Sequence, residues 1–119
     1  MSATQISKKI SALKTELNRI GSMRSGSLSQ QYNVCGTAGC KCKAPVSPKK
    51  HGPYFKLKTT IGGKPTTKFV KDQNVNLVKR QLQNYKKFDE LIREWTRLAN
   101  DLAEVEINSS DEKLTRLGQ

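Results

Sequence analysis

The chain has 119 residues, of which 34% are apolar, and it carries a formal net charge of +12. A chain of this size and polarity forms at most one domain with a small core, and it contains no apolar run that reaches the length of a transmembrane helix. We therefore exclude a multidomain protein and a membrane-spanning one, and we expect a soluble protein.

The first predicted element is an amphipathic helix over residues 4–21. Its apolar residues recur at spacings of four, three, four and three, the period of a helix with a coiled-coil seam. The members of this stripe are Ile6, Ile10, Leu13, Leu17 and Ile20. The stretch that follows is rich in glycine and serine, so we assign residues 22–52 to a turn and a cysteine-containing loop.

This loop contains every cysteine of the chain and its one histidine. Cys35, Cys40, Cys42 and His51 follow the pattern C-x4-C-x-C-x8-H. Thiolates and imidazole are the donors that tetrahedral zinc prefers, and two or three cysteines with a histidine form a common structural set. We therefore predict that these four residues bind Zn²⁺, although the spacing differs from the familiar paired C-x2-C arrangement.

Other interpretations of the cysteines stay open at this stage. One alternative is that they are ordinary reduced cysteines that serve only as small apolar residues. This alternative explains poorly why they cluster in a polar loop. A disulfide cannot pair all three, and no apolar signal segment precedes them, which favours a reducing compartment. A catalytic zinc is disfavoured because four ligands leave no open position and the loop lacks a carboxylate.

Residues 53–71 predict a β-hairpin. The segment is rich in β-branched and aromatic residues that alternate with polar ones, and Gly62 and Gly63 lie at its centre. A two-stranded ribbon is the expected structure.

The length of the hairpin loop determines which side chains share a face. A three-residue loop that includes Lys64 places Leu57 opposite Phe69 and Lys58 opposite Lys68, so that one face is apolar and the other basic. Directly opposed lysines are unfavourable unless an anion lies between them, and this face is therefore predicted to contact phosphates. Splayed lysines that protect a strand edge are the alternative.

A long amphipathic helix is predicted over residues 73–107, followed by a polar tail at 108–119 that is either a short helix or a frayed end. Because it is about twice as long as the first helix, its distal apolar half is expected to lack a partner within the chain. This predicts a homodimer or docking onto a larger protein. The predicted partner seam consists of Phe88, Ile92, Trp95, Leu98 and Leu102.

Together these elements predict one domain, 1–119, with a mostly α fold. It is an antiparallel, coiled-coil-like helical hairpin with a zinc-stabilised loop and a two-stranded ribbon at its tip.

The positive charge is concentrated in the middle of the sequence. Residues 41–87 contain thirteen Lys or Arg and one acidic residue, whereas residues 88–119 carry a net charge of −4. Such a segment attracts a polyanion through counterion release, although a merely solubilising surface remains the alternative. The predicted nucleic-acid contacts are Lys41, Lys43, Lys49, Lys50, Lys56, Lys58, Lys64, Lys68, Lys71, Lys79 and Arg80.

An ordered set of short motifs runs through the same region. They are Gly26-Ser27-Leu28, Cys35-Gly36, Gly39-Cys40, Cys42, His51-Gly52-Pro53-Tyr54 and Gly62-Gly63-Lys64, with a long helix after them. This combination resembles a family of small uncharacterised prokaryotic proteins that tend to be encoded among mobile-element genes. The resemblance implies a shared fold, a structural role for the cysteines and the histidine, and a DNA transaction.

The sequence contains no glycine-rich phosphate loop and no nucleophile motif, so we expect no enzyme. The leading hypothesis is a zinc-stabilised nucleic-acid-binding accessory protein of mobile-element recombination, transposition or its regulation, with DNA favoured over RNA. Two alternatives remain: an adaptor that docks by its helices onto a larger enzyme or nucleoprotein complex, and an RNA-binding module.

Overall fold

The computed structural model describes residues 1–117, which form two helices and one three-stranded antiparallel sheet. The elements in chain order are α1 (Ala3–Asn18), β1 (Ser27–Asn33), β2 (His51–Ile61), β3 (Lys64–Val70) and α2 (Val75–Leu117), with 3-10 turns at Lys41–Lys43 and Asp72–Asn74. The chain falls into two compact units. We call residues 1–22 with those from 84 onward the helical unit, and residues 23–83 the sheet unit.

In the helical unit, α1 begins with a capping box. The Ser2 hydroxyl accepts the backbone N–H of Gln5, and the Gln5 side chain accepts the backbone N–H of Ser2. Two of the donors that a helix start leaves unpaired are thereby satisfied. The expected first helix is confirmed, with its end at Asn18 instead of residue 21.

The two helices of this unit pack antiparallel. Glu16, near the end of α1, forms a 3.6 Å ion pair with Lys87, which lies near the start of the portion of α2 that belongs to this unit. The core is formed by Ile6, Ile10 and Leu98.

The predicted partner seam is therefore partly used within the chain. Leu98 is only 1% exposed because α1 covers it, and Trp95 and Leu102 pack against the same core. The expectation that the distal apolar half of the second helix lacks an internal partner is wrong for these residues. Phe88 and Ile92 are half-buried.

The sheet unit has one strand more than the two-stranded ribbon that the sequence predicted. The additional strand, β1, lies within the region assigned to the turn and loop, and it pairs antiparallel with β2. Its sequence, SLSQQYN, has little apolar alternation, because the strand lies at an edge of the sheet with mostly exposed side chains.

The register of the hairpin also differs from the prediction. Gly62 and Gly63 both have positive φ, 58° and 80°, and they form a two-residue turn instead of a three-residue loop. This geometry suits the right-handed twist of a hairpin and requires φ values that glycine tolerates. As a result Lys58 lies opposite Thr67, and no two lysines face each other across these strands.

The same register mixes the two predicted faces. Lys68 lies opposite Leu57, and Phe69 lies opposite Lys56, so neither face is purely basic or purely apolar. The face that contains Leu57, which is 2% exposed, is the inner face of the sheet. The other, the outer face, includes Ser27, Ser29, Gln31, Tyr54, Lys56, Lys58, Thr67 and Phe69.

The inner face adjoins the first turns of α2. The Lys79 ammonium lies 5.8 Å from the centre of the Phe55 ring, and Val75 and Val78 are buried on this part of the helix. The sheet unit therefore has a small core of aliphatic side chains between the sheet and the helix.

The second helix is longer than expected, since it continues through the predicted polar tail as far as Leu117. None of the helices over residues 1–117 is both long and apolar enough to cross a membrane.

Candidate metal centre

The four predicted metal ligands are positioned by two strand ends and one tight turn. Cys35 lies two residues after the end of β1, and His51 is the first residue of β2 and pairs with Asn33 across the sheet. Cys40 and Cys42 come from the 3-10 turn, which is closed by a 3.0 Å hydrogen bond from the Lys43 N–H to the Cys40 carbonyl. Strand pairing thus brings the first and last ligands together.

The four side chains converge on one point. One sulfur or nitrogen atom from each of Cys35, Cys40, Cys42 and His51 lies within 4.8 Å of all the others. The Sγ atoms of Cys35 and Cys42 are 3.5 Å apart, and Cys40 Sγ is 3.4 Å from His51 Nε2. The structure therefore supports a plausible metal site at the residues that the sequence predicted.

Local hydrogen bonds shift the proton affinities of this cluster. The backbone of Thr37, assisted by His51 and the other two thiols, lowers the pKa of Cys35 to about 6. A backbone hydrogen bond at Cys42 lowers the pKa of Cys40, whereas burial raises the pKa of Cys42 itself. Hydrogen bonds to Cys35 and Cys40 raise the pKa of His51. Stabilised thiolates beside an imidazole form a suitable site for a cation.

The glycine that follows the histidine is required by the backbone. Gly52 has a φ of 131°, and a Cβ atom at this position would lie 2.8 Å from the carbonyl oxygen of Gln31 on β1. A larger residue would strain the chain and push β1 and β2 apart beside His51. The close approach of β1 and β2 thus explains why a glycine follows His51 in the motif.

The predicted nucleic-acid contacts all belong to the sheet unit, but they do not form one surface. We call residues 34–50, which connect β1 and β2 and contain the three candidate cysteine ligands, the metal loop. The basic residues lie in four places: Lys41, Lys43, Lys49 and Lys50 in the metal loop, Lys56 and Lys58 on the outer face, Lys64 and Lys68 on the inner side of β3, and Lys71, Lys79 and Arg80 near the start of α2. All except the half-buried Lys56 are exposed.

Arg24 is a basic residue that the sequence interpretation missed. Its backbone N–H donates to the Gln81 carbonyl at 3.2 Å, and its side chain borders two adjoining grooves together with Lys68. The Nε atom is buried and has no hydrogen-bond partner. Arg24 lay in the predicted turn, and only its charge could have singled it out.

Comparison with known proteins connects the chain to a family. The sequence matches a family described as a domain of unknown function, DUF6788, over residues 3–80. The chain belongs to this family. The DUF6788 match includes α1, all three strands, the four candidate metal ligands and the first turns of α2. No curated protein and no solved structure matches the chain.

Proposed function

We propose that this DUF6788 protein is a non-enzymatic, zinc-stabilised nucleic-acid-binding module. The observation that carries the proposal is that a single compact unit contains both the cluster of three cysteines with a histidine and nearly all of the net charge. In residues 23–83, twelve Lys or Arg stand against one acidic residue, Asp72, which gives +11. A unit with this charge releases counterions when it binds a polyanion, and phosphate backbones are the common polyanions of the cell.

Zinc fits the donor set and its spacing. With Zn–S bonds of about 2.3 Å, a tetrahedral ion separates two thiolates by about 3.8 Å. The Cys35–Cys42 and Cys40–His51 separations of 3.5 and 3.4 Å are close to this geometry. Bound zinc would supply a structural cross-link between the loop and the adjoining ends of β1 and β2. The Cys35 N–H, 3.4 Å from Cys42 Sγ, would stabilise the thiolate ligand.

DNA is the favoured partner because of the motif set. Its resemblance to proteins encoded among mobile elements supports an accessory role in DNA recombination or transposition, or in their regulation, at the nucleoid of a prokaryotic cell. The contacts are chiefly lysines, which act as point charges, so binding is dominated by the phosphate backbone and carries little sequence readout.

A second candidate is an adaptor that docks onto a larger protein or a second copy. The observation that favours it is that Ile107 and Leu114 are exposed apolar residues of α2. Leu98 of the predicted seam is covered by α1, so the docking surface would be formed by these exposed residues instead. Under this function the purified protein binds nucleic acid weakly, and Ile107→Asp disrupts the assembly without unfolding the core.

The proposal is tested with purified, metal-analysed protein titrated with duplex DNA, single-stranded DNA and RNA over a salt series. We expect one equivalent of zinc and an affinity that falls steeply with salt. Lys56→Glu combined with Lys58→Glu should weaken binding and lower the salt slope by about one for each phosphate that is no longer neutralised.

The matched control is Lys8→Glu with Lys9→Glu, which makes the same charge change on exposed residues of the helical unit. Equal losses in the two double variants would show that only net charge matters. Weak binding to all three nucleic acids at low salt would refute the proposed function.

A further inference from the structure

The outer face of the sheet combines exposed aromatic rings with lysines. Phe69 is 62% exposed and Tyr54 is 43% exposed, and both lie on the face opposite to the one that buries Leu57. Phe69 lies directly opposite Lys56 in the β2–β3 register, and Tyr54 and Lys58 flank Lys56 on the same side of β2. Large apolar rings are seldom left exposed together without a role in binding.

These residues form a compact arrangement. Tyr54 and Phe69 are diagonal neighbours across the strand pair, which corresponds to a separation of about 7–8 Å. The side chains that β1 adds to this face are small or polar: Ser27 lies opposite Lys58 and Ser29 opposite Lys56. No acidic residue lies on the outer face, all of which is described. The face is thus positively charged and carries two rings.

Resting on the proposed nucleic-acid-binding function, we infer that the outer face binds a single-stranded nucleic acid. Two of its bases stack on Phe69 and Tyr54, and Lys56 and Lys58 contact the adjacent phosphates. Aromatic rings on an open sheet surface stack unpaired bases, and lysines beside them neutralise the backbone. In a duplex the bases are stacked on one another and cannot reach such rings.

The shape of the sheet supports this choice of ligand. The major groove of DNA admits a two-stranded ribbon, whereas here β1 and β3 both pair with β2 at residues 55–58, so that the sheet is three strands wide where Lys56 and Lys58 lie. The outer face therefore suits an extended strand laid across it better than it suits a groove.

The test measures the affinity of short single strands of mixed A and C, made as DNA and as RNA, and of the matching DNA duplex. We expect tighter binding of the single strands. Phe69→Ala should weaken single-strand binding by about ten-fold or more while leaving the salt slope unchanged, because a ring is removed and every charge is kept. Phe69→Trp should retain affinity, and its added fluorescence should be quenched by the bound bases. The DNA and RNA arms then identify the preferred strand.

The matched control is Ile61→Ala, which removes an apolar side chain that is 68% exposed but lies on the other face. Zinc content and circular dichroism establish that each variant is folded. Preference for the duplex, or equal affinity of Phe69→Ala and Ile61→Ala, would overturn this inference while salt-sensitive binding still upheld the proposed function. If none of the three nucleic acids showed salt-sensitive binding, both this inference and the proposed function would be refuted.

Discussion

The two units of this protein have similar numbers of residues but differ in how they are held together and in what they present to solvent. Residues 1–22 and 84–119 contain ten Lys or Arg and nine Asp or Glu, whereas residues 23–83 contain twelve and one. The helical unit has a continuous apolar core around Ile6, Ile10 and Leu98. In the sheet unit, all of which is described, the buried apolar residues are Cys42, Leu57, Val75 and Val78.

This difference shows how a small unit can tolerate strong self-repulsion. Positive charges in one compact unit oppose folding, and three buried aliphatic side chains offset little of that cost. Small folds with insufficient cores are commonly stabilised by a metal or disulfides. We therefore expect the sheet unit to depend on a metal bound by its cysteines and histidine, as proposed above, and the helical unit to depend on apolar packing.

The largest effect is expected from removing one metal ligand. Cys40→Ser should abolish stoichiometric metal binding and unfold the sheet unit, because structural zinc contributes on the order of 10–16 kcal/mol in zinc-finger peptides. The helical unit should persist. Metal analysis and the dispersion of amide NMR signals from β1–β3 measure the loss, and the fluorescence of Trp95 reports on the helices.

Val46→Ala is the control for this variant, since Val46 lies in the same loop and is largely exposed. Retention of one equivalent of metal by Cys40→Ser would contradict the ligand assignment. Unfolding of the helical unit together with the sheet unit would contradict the expectation that the metal stabilises the sheet unit alone.

The second effect concerns the helical unit. Leu98→Ala should lower the free energy of unfolding by about 2–5 kcal/mol, because it leaves a cavity against Ile6 and Ile10. Metal content should not change. Ile107→Ala, at a half-exposed position on the same helix, should change stability by less than about 0.5 kcal/mol. Similar values for the two variants in chemical denaturation would argue against the observed helix packing.

The smallest effect is expected at the junction of the metal loop and the sheet. Gly52→Ala should destabilise the sheet unit by about 1–3 kcal/mol, because alanine disfavours a φ of 131° and its Cβ would clash with the Gln31 carbonyl. Thermal unfolding and zinc affinity measure the change. Gly36→Ala is the matched control, since a Cβ there meets no atom within 4 Å. A neutral Gly52→Ala would mean that β1 and β2 do not approach closely at this point.

Much of this architecture could be predicted from residue types and periodicity. The stripe from Ile6 to Ile20 predicts α1, and the clustering of Cys35, Cys40, Cys42 and His51 predicts the site where the structure brings their donor atoms together. Both predictions depend on local signals: a helical period and a set of ligands with strong chemical preferences.

Other features depend on interactions that a local pattern does not contain. The strand Ser27–Asn33 is defined by its pairing with β2, since its polar sequence is compatible with a loop. The continuation of α2 through residues 108–117 was missed because the segment is polar, although it lacks glycine and proline before Gly118. The grooves beside Arg24 can be recognised only in the folded chain, because residues from distant parts of the sequence line them.

The two-residue turn at Gly62 and Gly63 also determines which side chains of β3 share a face with those of β2. If the two-residue turn were kept, one residue inserted after Gly63 would pair with Ile61 and shift the register of β3 by a single position, so that Phe69 would leave the outer face and Lys68 would enter it. The outer face would keep Tyr54, which belongs to β2, but it would lose its second ring and gain a lysine opposite Lys56 without any existing side chain being replaced. A single added residue would therefore move one ring and one charge between the two faces of the sheet.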